Sequence, residues 1–210
     1  MQVTSLSPSS ADALLFDLGR VVLDIDFSKA IACWAGHAGC KPEAIVARYV
    51  RDSEAYRLHE MGKISDEDYF ASLRASLGIG ISDAQFLEGW NAIFAGEMPD
   101  IAELLPRAAK QMPLYAFSNT NRPHVDHFSQ VHAGLLGHFH EIYLSSTIGL
   151  RKPDQAAYEH VVGAIGVPAS RILFFDDLAE NIEAARARGL AAVHVTSPDD
   201  VAKALAALGI

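Results

Sequence analysis

Ala13-Leu14-Leu15-Phe16-Asp17-Leu18-Gly19 is the stretch on which the fold turns. Four apolar residues run without a break and stop at an aspartate. Gly19 follows, and then Val21-Val22-Leu23. The pattern reads as a buried strand and a sharp turn. It recurs along the chain. Pro113-Leu114-Tyr115-Ala116-Phe117 stops at Ser118-Asn119, and Ile142-Tyr143-Leu144 stops at Ser145-Ser146. Ile172-Leu173-Phe174-Phe175 stops at Asp176-Asp177, and the run from Ala191 to Val195 stops at Thr196-Ser197. Apolar runs that do not alternate with polar residues belong to strands covered on both faces, as in a parallel sheet.

Helical stretches separate these runs. They are expected over 100–111 with Asp100 as N-terminal cap, over 154–165, over 178–188 ending at Gly189, and over 198–208. Strand and helix in alternation imply an α/β domain built on a doubly wound parallel sheet. Residues 27–98 break the rhythm. No convincing strand is read there. Amphipathic spacing predicts helices over 27–38, 42–58, 65–77 and 82–95. Ser65 with Asp68, and Ser82 with Gln85, resemble capping boxes. The first strand needs the later ones to make a sheet, so this stretch is expected to be a helical cap (27–98) inserted into a core formed by 1–26 and 99–210. Trp34, Trp90 and Phe94 are assigned to the core of that cap.

Composition narrows the function classes. The chain has 210 residues, half of them hydrophobic and a fifth charged, with a formal net charge of −9. Such an acidic protein repels nucleic acid and anionic lipid, so neither is an expected partner. Residues 1–13 lack a basic start and a long apolar run, and no run elsewhere is long enough to cross a membrane. A cytoplasmic location is the expectation. Cys33 and Cys40 stand seven apart with no CxxC pair, and are read as reduced structural thiols on one helix face. His124, His127, His132, His138 and His140 lie close together without metal-ligand spacing, and are read as core or surface residues.

In open α/β sheets, ligands bind at the carboxyl ends of the strands. Asp17, Ser118, Asn119, Asp176 and Asp177 all fall there, and Lys152 follows the third run closely enough to join them. Crowded carboxylates raise one another's pKa unless a cation sits among them. Such hard oxygen donors suit Mg²⁺. With Lys152 as a second positive charge and Ser118 and Asn119 as hydrogen-bond donors, the set can cradle a phosphoryl group. An ionised aspartate there can act as a nucleophile.

Phe16-Asp17-Leu18-Gly19, Ser118-Asn119, Lys152-Pro153 and Phe175-Asp176-Asp177 with Glu180-Asn181 resemble, in order, the four motifs of the haloacid dehalogenase-like hydrolase superfamily. Ser118-Asn119-Thr120-Asn121-Arg122 and Gly149-Leu150-Arg151-Lys152-Pro153 are similar to segments of bacterial α-D-glucose-1-phosphate phosphatases. The resemblance implies a Rossmann-like core, with Asp17 as the nucleophile. It implies Mg²⁺ bound by Asp17, the Gly19 carbonyl and Asp177, with Asp176 in or just behind that shell. Ser118 and Asn119 would hold the phosphoryl group, Lys152 would bridge it to the nucleophile, and the inserted helices would select the substrate. A small phosphorylated metabolite is the expected partner, for a monomer or homodimer.

The chain departs from the family pattern at one place. Most phosphatases of the superfamily carry a second aspartate two residues after the nucleophile, and here Gly19 stands there. The haloacid dehalogenases proper also lack that acid and need no metal, so 2-haloacid dehalogenation is the alternative activity. A catalytically weak relative that binds a phosphorylated ligand or a protein is another. The paired acids Asp176-Asp177 favour the phosphatase. Arg20 can touch phosphate or form a surface ion pair. Asp24 and Asp26 are read as stabilising the turn that leads into the cap.

Overall fold

The computed structural model describes residues 6–50 and 52–210. Residues 1–5, in the expected core segment, and Arg51, in the helix expected over 42–58, lie outside the described residues. The strands are β1 (Ala13–Phe16), β2 (Leu23–Ile25), β3 (Phe94–Glu97), β4 (Leu114–Ser118), β5 (Glu141–Leu144), β6 (Ile172–Asp176) and β7 (Ala191–His194). Five of them form one parallel sheet in the order β5-β4-β1-β6-β7. These are the five apolar runs read from the sequence.

Successive side chains of a strand point to opposite faces, and the sheet has a core on each side. Leu14 and Phe16 of β1, Ala116 of β4, and Leu173 and Phe175 of β6 pack on one face. The helices Pro99–Ala109 and Pro198–Ala207 cover it, contributing Ile101, Leu105, Val201 and Leu205. Ala13, Leu15, Phe117, Ile172 and Phe174 pack on the other face, under the helices Gln155–Ile165 and Ala179–Ala187. The rings of Phe16 and Phe175 stack across neighbouring strands at 4.6 Å. The sheet therefore has no wet face, which explains the absence of alternation in the sequence.

Chain direction across the sheet reverses at β1. The strands β4 and β5 lie on one side of it, and β6 and β7 on the other. That reversal opens a crevice at the carboxyl ends of β1 and β6.

Among the described residues, five helices lie between β2 and β3: Phe27–Ala38, Pro42–Val46, Glu54–Glu60, Asp66–Leu77 and Asp83–Asn91. They enclose a third cluster around Trp34, Phe70, Phe86 and Trp90. Ser82 and Gln85 form the expected capping box. Ser65 caps its helix by accepting from the Asp68 N–H.

Several local readings need correction. The stretch 42–58 holds two helices rather than one. The helix expected to run to 95 stops at Asn91, and Phe94–Glu97 is a strand, paired antiparallel with β2. That strand is short, contains Gly96 and takes its partner from 69–74 residues away, so its own sequence carries little strand signal. Phe94 consequently packs against both the helical cluster and the main core. Asp100 is not a cap. Pro99 occupies the first turn with Met98 at the cap position, since proline's fixed φ suits a helix start. The helix Phe27–Ala38 ends at Gly39 in the left-handed region, so Cys40 falls beyond it and does not share a helix face with Cys33.

Candidate active site

Asp17 is the first residue beyond β1, and its N–H still donates to the Phe175 carbonyl at 2.8 Å. The ladder of β1 and β6 thus fixes its backbone beside Asp176, the last residue of β6. Ser118, the last residue of β4, flanks the other side. Oxygens of Asp17, Asp176 and Asp177 lie within 4.8 Å of one another.

Lys152 reaches this point from the loop after β5. It is 1 % exposed. Its ammonium donates to Asp17 Oδ1 at 2.9 Å, to Asp176 Oδ2 at 2.7 Å and to the Phe117 carbonyl at 2.7 Å. Those three bonds use its three protons. The rings of Phe117 and Phe174 flank the ammonium at 5.1 and 5.4 Å, adding cation–π attraction. Burial alone draws the Lys152 pKa down, but the charges of Asp17 and Asp176 more than reverse this and leave it raised.

Asp176 is wholly buried and fully engaged. Its Oδ1 accepts from the Leu178 N–H at 2.8 Å, and Asn181 Nδ2 lies within 3.0 Å of both its oxygens. The Asn181 carbonyl in turn accepts from the Tyr158 hydroxyl at 2.8 Å. Asp177 is more open, with its carboxylate 3.9 Å from the Arg20 guanidinium. Arg20 is half exposed and sits at φ 60°, a left-handed turn conformation.

The charges do not balance. Burial pushes the Asp17 carboxyl up to about 7; Lys152 opposes that rise, and Asp176 and Asp177 add to it. Asp177 is raised as well, first by burial and then by Asp176. Three carboxylates share one buried ammonium, so the cluster has room for further positive charge.

Asn119 also holds the loop that carries the lysine. Its side chain accepts from the Lys152 N–H at 2.8 Å and donates to the Lys152 carbonyl at 2.8 Å. It pins the loop that delivers the lysine and leaves one amide N–H uncommitted. The Ser118 hydroxyl makes no hydrogen bond among the described residues and stays available. Asp26 caps the helix Phe27–Ala38, accepting from the Ser28 N–H and hydroxyl. Asp24 is exposed on β2. His124 is buried against Trp90, and His132 pairs with Glu97 at 3.1 Å.

Asn181 and Arg151 belong to the quoted motifs, but neither takes a role of its own from the sequence. The Arg151 side chain pairs with buried Glu60 at 3.0 Å and so ties the Lys152 loop to the inserted helices. A cleft of about 570 Å³ opens at the same junction, lined by His59, Asp66, Arg122, Asp126, Ser146 and Thr147 among others. None of the clustered carboxylates lines it, so the cleft and the reactive cluster are distinct features.

The chain resembles known proteins in sequence and in fold. Residues 11–189 match the family described as haloacid dehalogenase-like hydrolase. The chain is 33 % identical to the phosphatase MT3486 of Mycobacterium tuberculosis, over 95 % of this chain and 96 % of that protein. It is 31 % identical to the sesquiterpene phosphatase astK of Aspergillus oryzae, over 69 % of this chain and 74 % of that one. The fold is similar to that of a HAD family enzyme of Bacteroides thetaiotaomicron, bt-2542, solved with magnesium and inorganic phosphate. The TM-score is 0.75 at 22 % identity, covering 87 % of this chain and 92 % of that one.

Proposed function

The chain belongs to the haloacid dehalogenase-like hydrolase family, and from that premise we propose that it hydrolyses small phosphate monoesters through an aspartyl-phosphate on Asp17. The observation that carries this reading is the Lys152 ammonium, held between Asp17 and Asp176 at 2.9 and 2.7 Å. The lysine holds one carboxylate oxygen of Asp17 and leaves the other for attack at phosphorus. The bond from phosphorus to the ester oxygen breaks, and the alcohol leaves with a proton from solvent. Water then attacks phosphorus, releasing inorganic phosphate and restoring the Asp17 carboxylate. The Ser118 hydroxyl donates to a phosphoryl oxygen, and the positive charge of the Lys152 ammonium beside Asp17 offsets the charge that builds there.

The donor set fits a hard divalent cation. It is all oxygen, crowded, and short of positive charge. Asp17, Asp177 and the Gly19 carbonyl would hold Mg²⁺, with Asp176 behind them. Bound there, the ion would neutralise charge on the phosphoryl group. The five inserted helices serve as a cap over the crevice. The crowded carboxylates favour a metal-dependent reaction over the dehalogenase alternative, which needs no metal.

Gly19 points to the kind of ester. General acid–base help is worth about 10²–10⁴ in rate, and this position cannot supply it. A sugar 1-phosphate needs less of it, because a hemiacetal oxygen leaves more readily than a primary alkoxide. Glucose 1-phosphate is therefore the preferred type of substrate, over glucose 6-phosphate. A Cβ at Gly19 would find Ile25 Cγ1 nearest, at 3.5 Å, an ordinary contact, so a side chain can start there without a clash at Cβ.

The test is kcat/KM for both sugars, with Mg²⁺ and with EDTA, in wild type and Gly19→Asp. Wild type is expected to favour the 1-phosphate at least about tenfold and to lose activity in EDTA. Gly19→Asp should help the 6-phosphate more. Equal efficiency on both sugars would contradict the substrate reading. Chloride release from 2-haloacids without phosphatase activity would contradict the reaction.

A further inference from the structure

The helices Phe27–Ala38 and Asp83–Asn91 are the first and last of the inserted segment. They lie next to β2 and β3, the two strands that join that segment to the sheet. They pack closely because Gly89 faces the Trp34 indole. A Cβ at Gly89 would fall 2.3 Å from Trp34 Nε1. Along this seam Cys33 and His37, one turn apart on the first helix, meet Glu88 of the second. The cysteine sulfur, a ring nitrogen of His37 and a Glu88 oxygen lie within 4.8 Å of one another, and His37 Nε2 is 3.0 Å from Glu88 Oε2.

We propose that Cys33, His37 and Glu88 form a second metal site, selective for Zn²⁺ or a similar borderline transition metal, that clamps the two helices at the base of the inserted segment. The ligand types argue against magnesium, which takes oxygen ligands, and for zinc, which accepts thiolate, imidazole and carboxylate together. Zinc bond lengths of about 2.0–2.3 Å place ligand atoms of a tetrahedral site about 3.5 Å apart. The His37 and Glu88 atoms stand 3.0 Å apart and the sulfur lies within 4.8 Å of both, and the exposed His37 and Glu88 side chains can adjust. Three protein ligands leave the fourth position to water. Without metal, burial and then the Glu88 carboxylate hold the Cys33 thiol protonated. A divalent ion reverses both effects by binding the thiolate. Cys40, exposed beyond the helix end, lies outside the cluster. The site shares no residue with the carboxylate cluster of the active site, so it can be tested apart from the proposed reaction.

The test uses the full chain, stripped of transition metals by chelation and returned to saturating Mg²⁺ so that the oxygen cluster does not compete. Co²⁺ is the probe, because cobalt bound to a thiolate gives a charge-transfer band in the near ultraviolet. The band should saturate at one equivalent and disappear on addition of Zn²⁺. Cys33→Ala should lose it, His37→Ala and Glu88→Gln should weaken cobalt binding at least about tenfold, and Cys40→Ala should keep it. Zn²⁺ should also raise the unfolding midpoint of the wild type and leave that of Cys33→Ala unchanged. Circular dichroism and Mg²⁺-dependent hydrolysis check that each variant is folded. A wild type without the band, or a band that survives in Cys33→Ala, overturns the proposal. So does a band lost in folded Cys40→Ala.

Discussion

Asp176 and Asp177 stand side by side in the sequence and in opposite surroundings. The carboxylate of Asp176 is fully buried and spent on Lys152, Asn181 and the Leu178 N–H. That of Asp177 is partly open, faces Arg20, and has a pKa raised by burial and by its neighbour. A bound cation would relieve Asp177, whereas Asp176 mainly orients the lysine. Asp177→Ala is therefore expected to raise the Mg²⁺ concentration needed for half-maximal activity about 10–100-fold. Asp176→Asn should lower kcat while leaving that concentration nearer the wild-type value. Titration of the hydrolysis rate with Mg²⁺ measures both, and equal shifts in the two variants would contradict the division of roles. The aspartates were legible in the sequence because each ends an apolar run. The hold of Asn119 on the Lys152 loop was not, because its partner is the backbone of a residue 33 positions away.

At the scale of elements, the inserted helices meet the sheet through hydrogen bonds that leave little freedom. Trp90 Nε1 and the His124 N–H both donate to Asn121 Oδ1, at 3.1 and 3.2 Å. That choice turns Asn121 Nδ2 toward His124 Nδ1, which accepts at 3.0 Å, and leaves His124 Nε2–H to donate to the Trp90 carbonyl. The ring is thereby held neutral. A proton on Nδ1 would face an N–H donor in a buried place, and burial lowers the His124 pKa to about 3. The sign follows by linkage. The unfolded chain takes up this proton below about pH 6.5 and the folded chain does not, so the stabilisation is complete above that pH. It falls by about 1.4 kcal/mol per unit of further acidification. His59 adds to the effect, since burial lowers its pKa too. Asp17 and Asp177, with raised values, act in the opposite sense. The useful quantity is then the difference between wild type and His124→Gln. Their urea midpoints should converge as the pH falls from about 6.5 to about 4, and a constant gap would contradict the neutral, buried ring. Sequence reading saw the helices on both sides of this junction through their amphipathic spacing. It missed β3, whose short strand exists only because β2 pairs with it.

For the molecule as a whole, the sheet was the legible part. A strand covered on both faces must be apolar throughout, and a chain that crosses such a sheet leaves its polar residues at the strand ends. Fold and reactive cluster therefore came from the same pattern. The seam between the first and last inserted helices was invisible, because Glu88 lies more than fifty residues from Cys33 and His37. The proposed reaction passes through a phosphoryl group on Asp17. Acid quenching during turnover of glucose 1-phosphate, followed by mass analysis of the peptide containing Asp17, detects that group. A phosphoryl group is expected on Asp17 in the wild type, with neither modification nor turnover in Asp17→Asn. Steady turnover with an unmodified Asp17 peptide, or near wild-type turnover by folded Asp17→Asn, would contradict it.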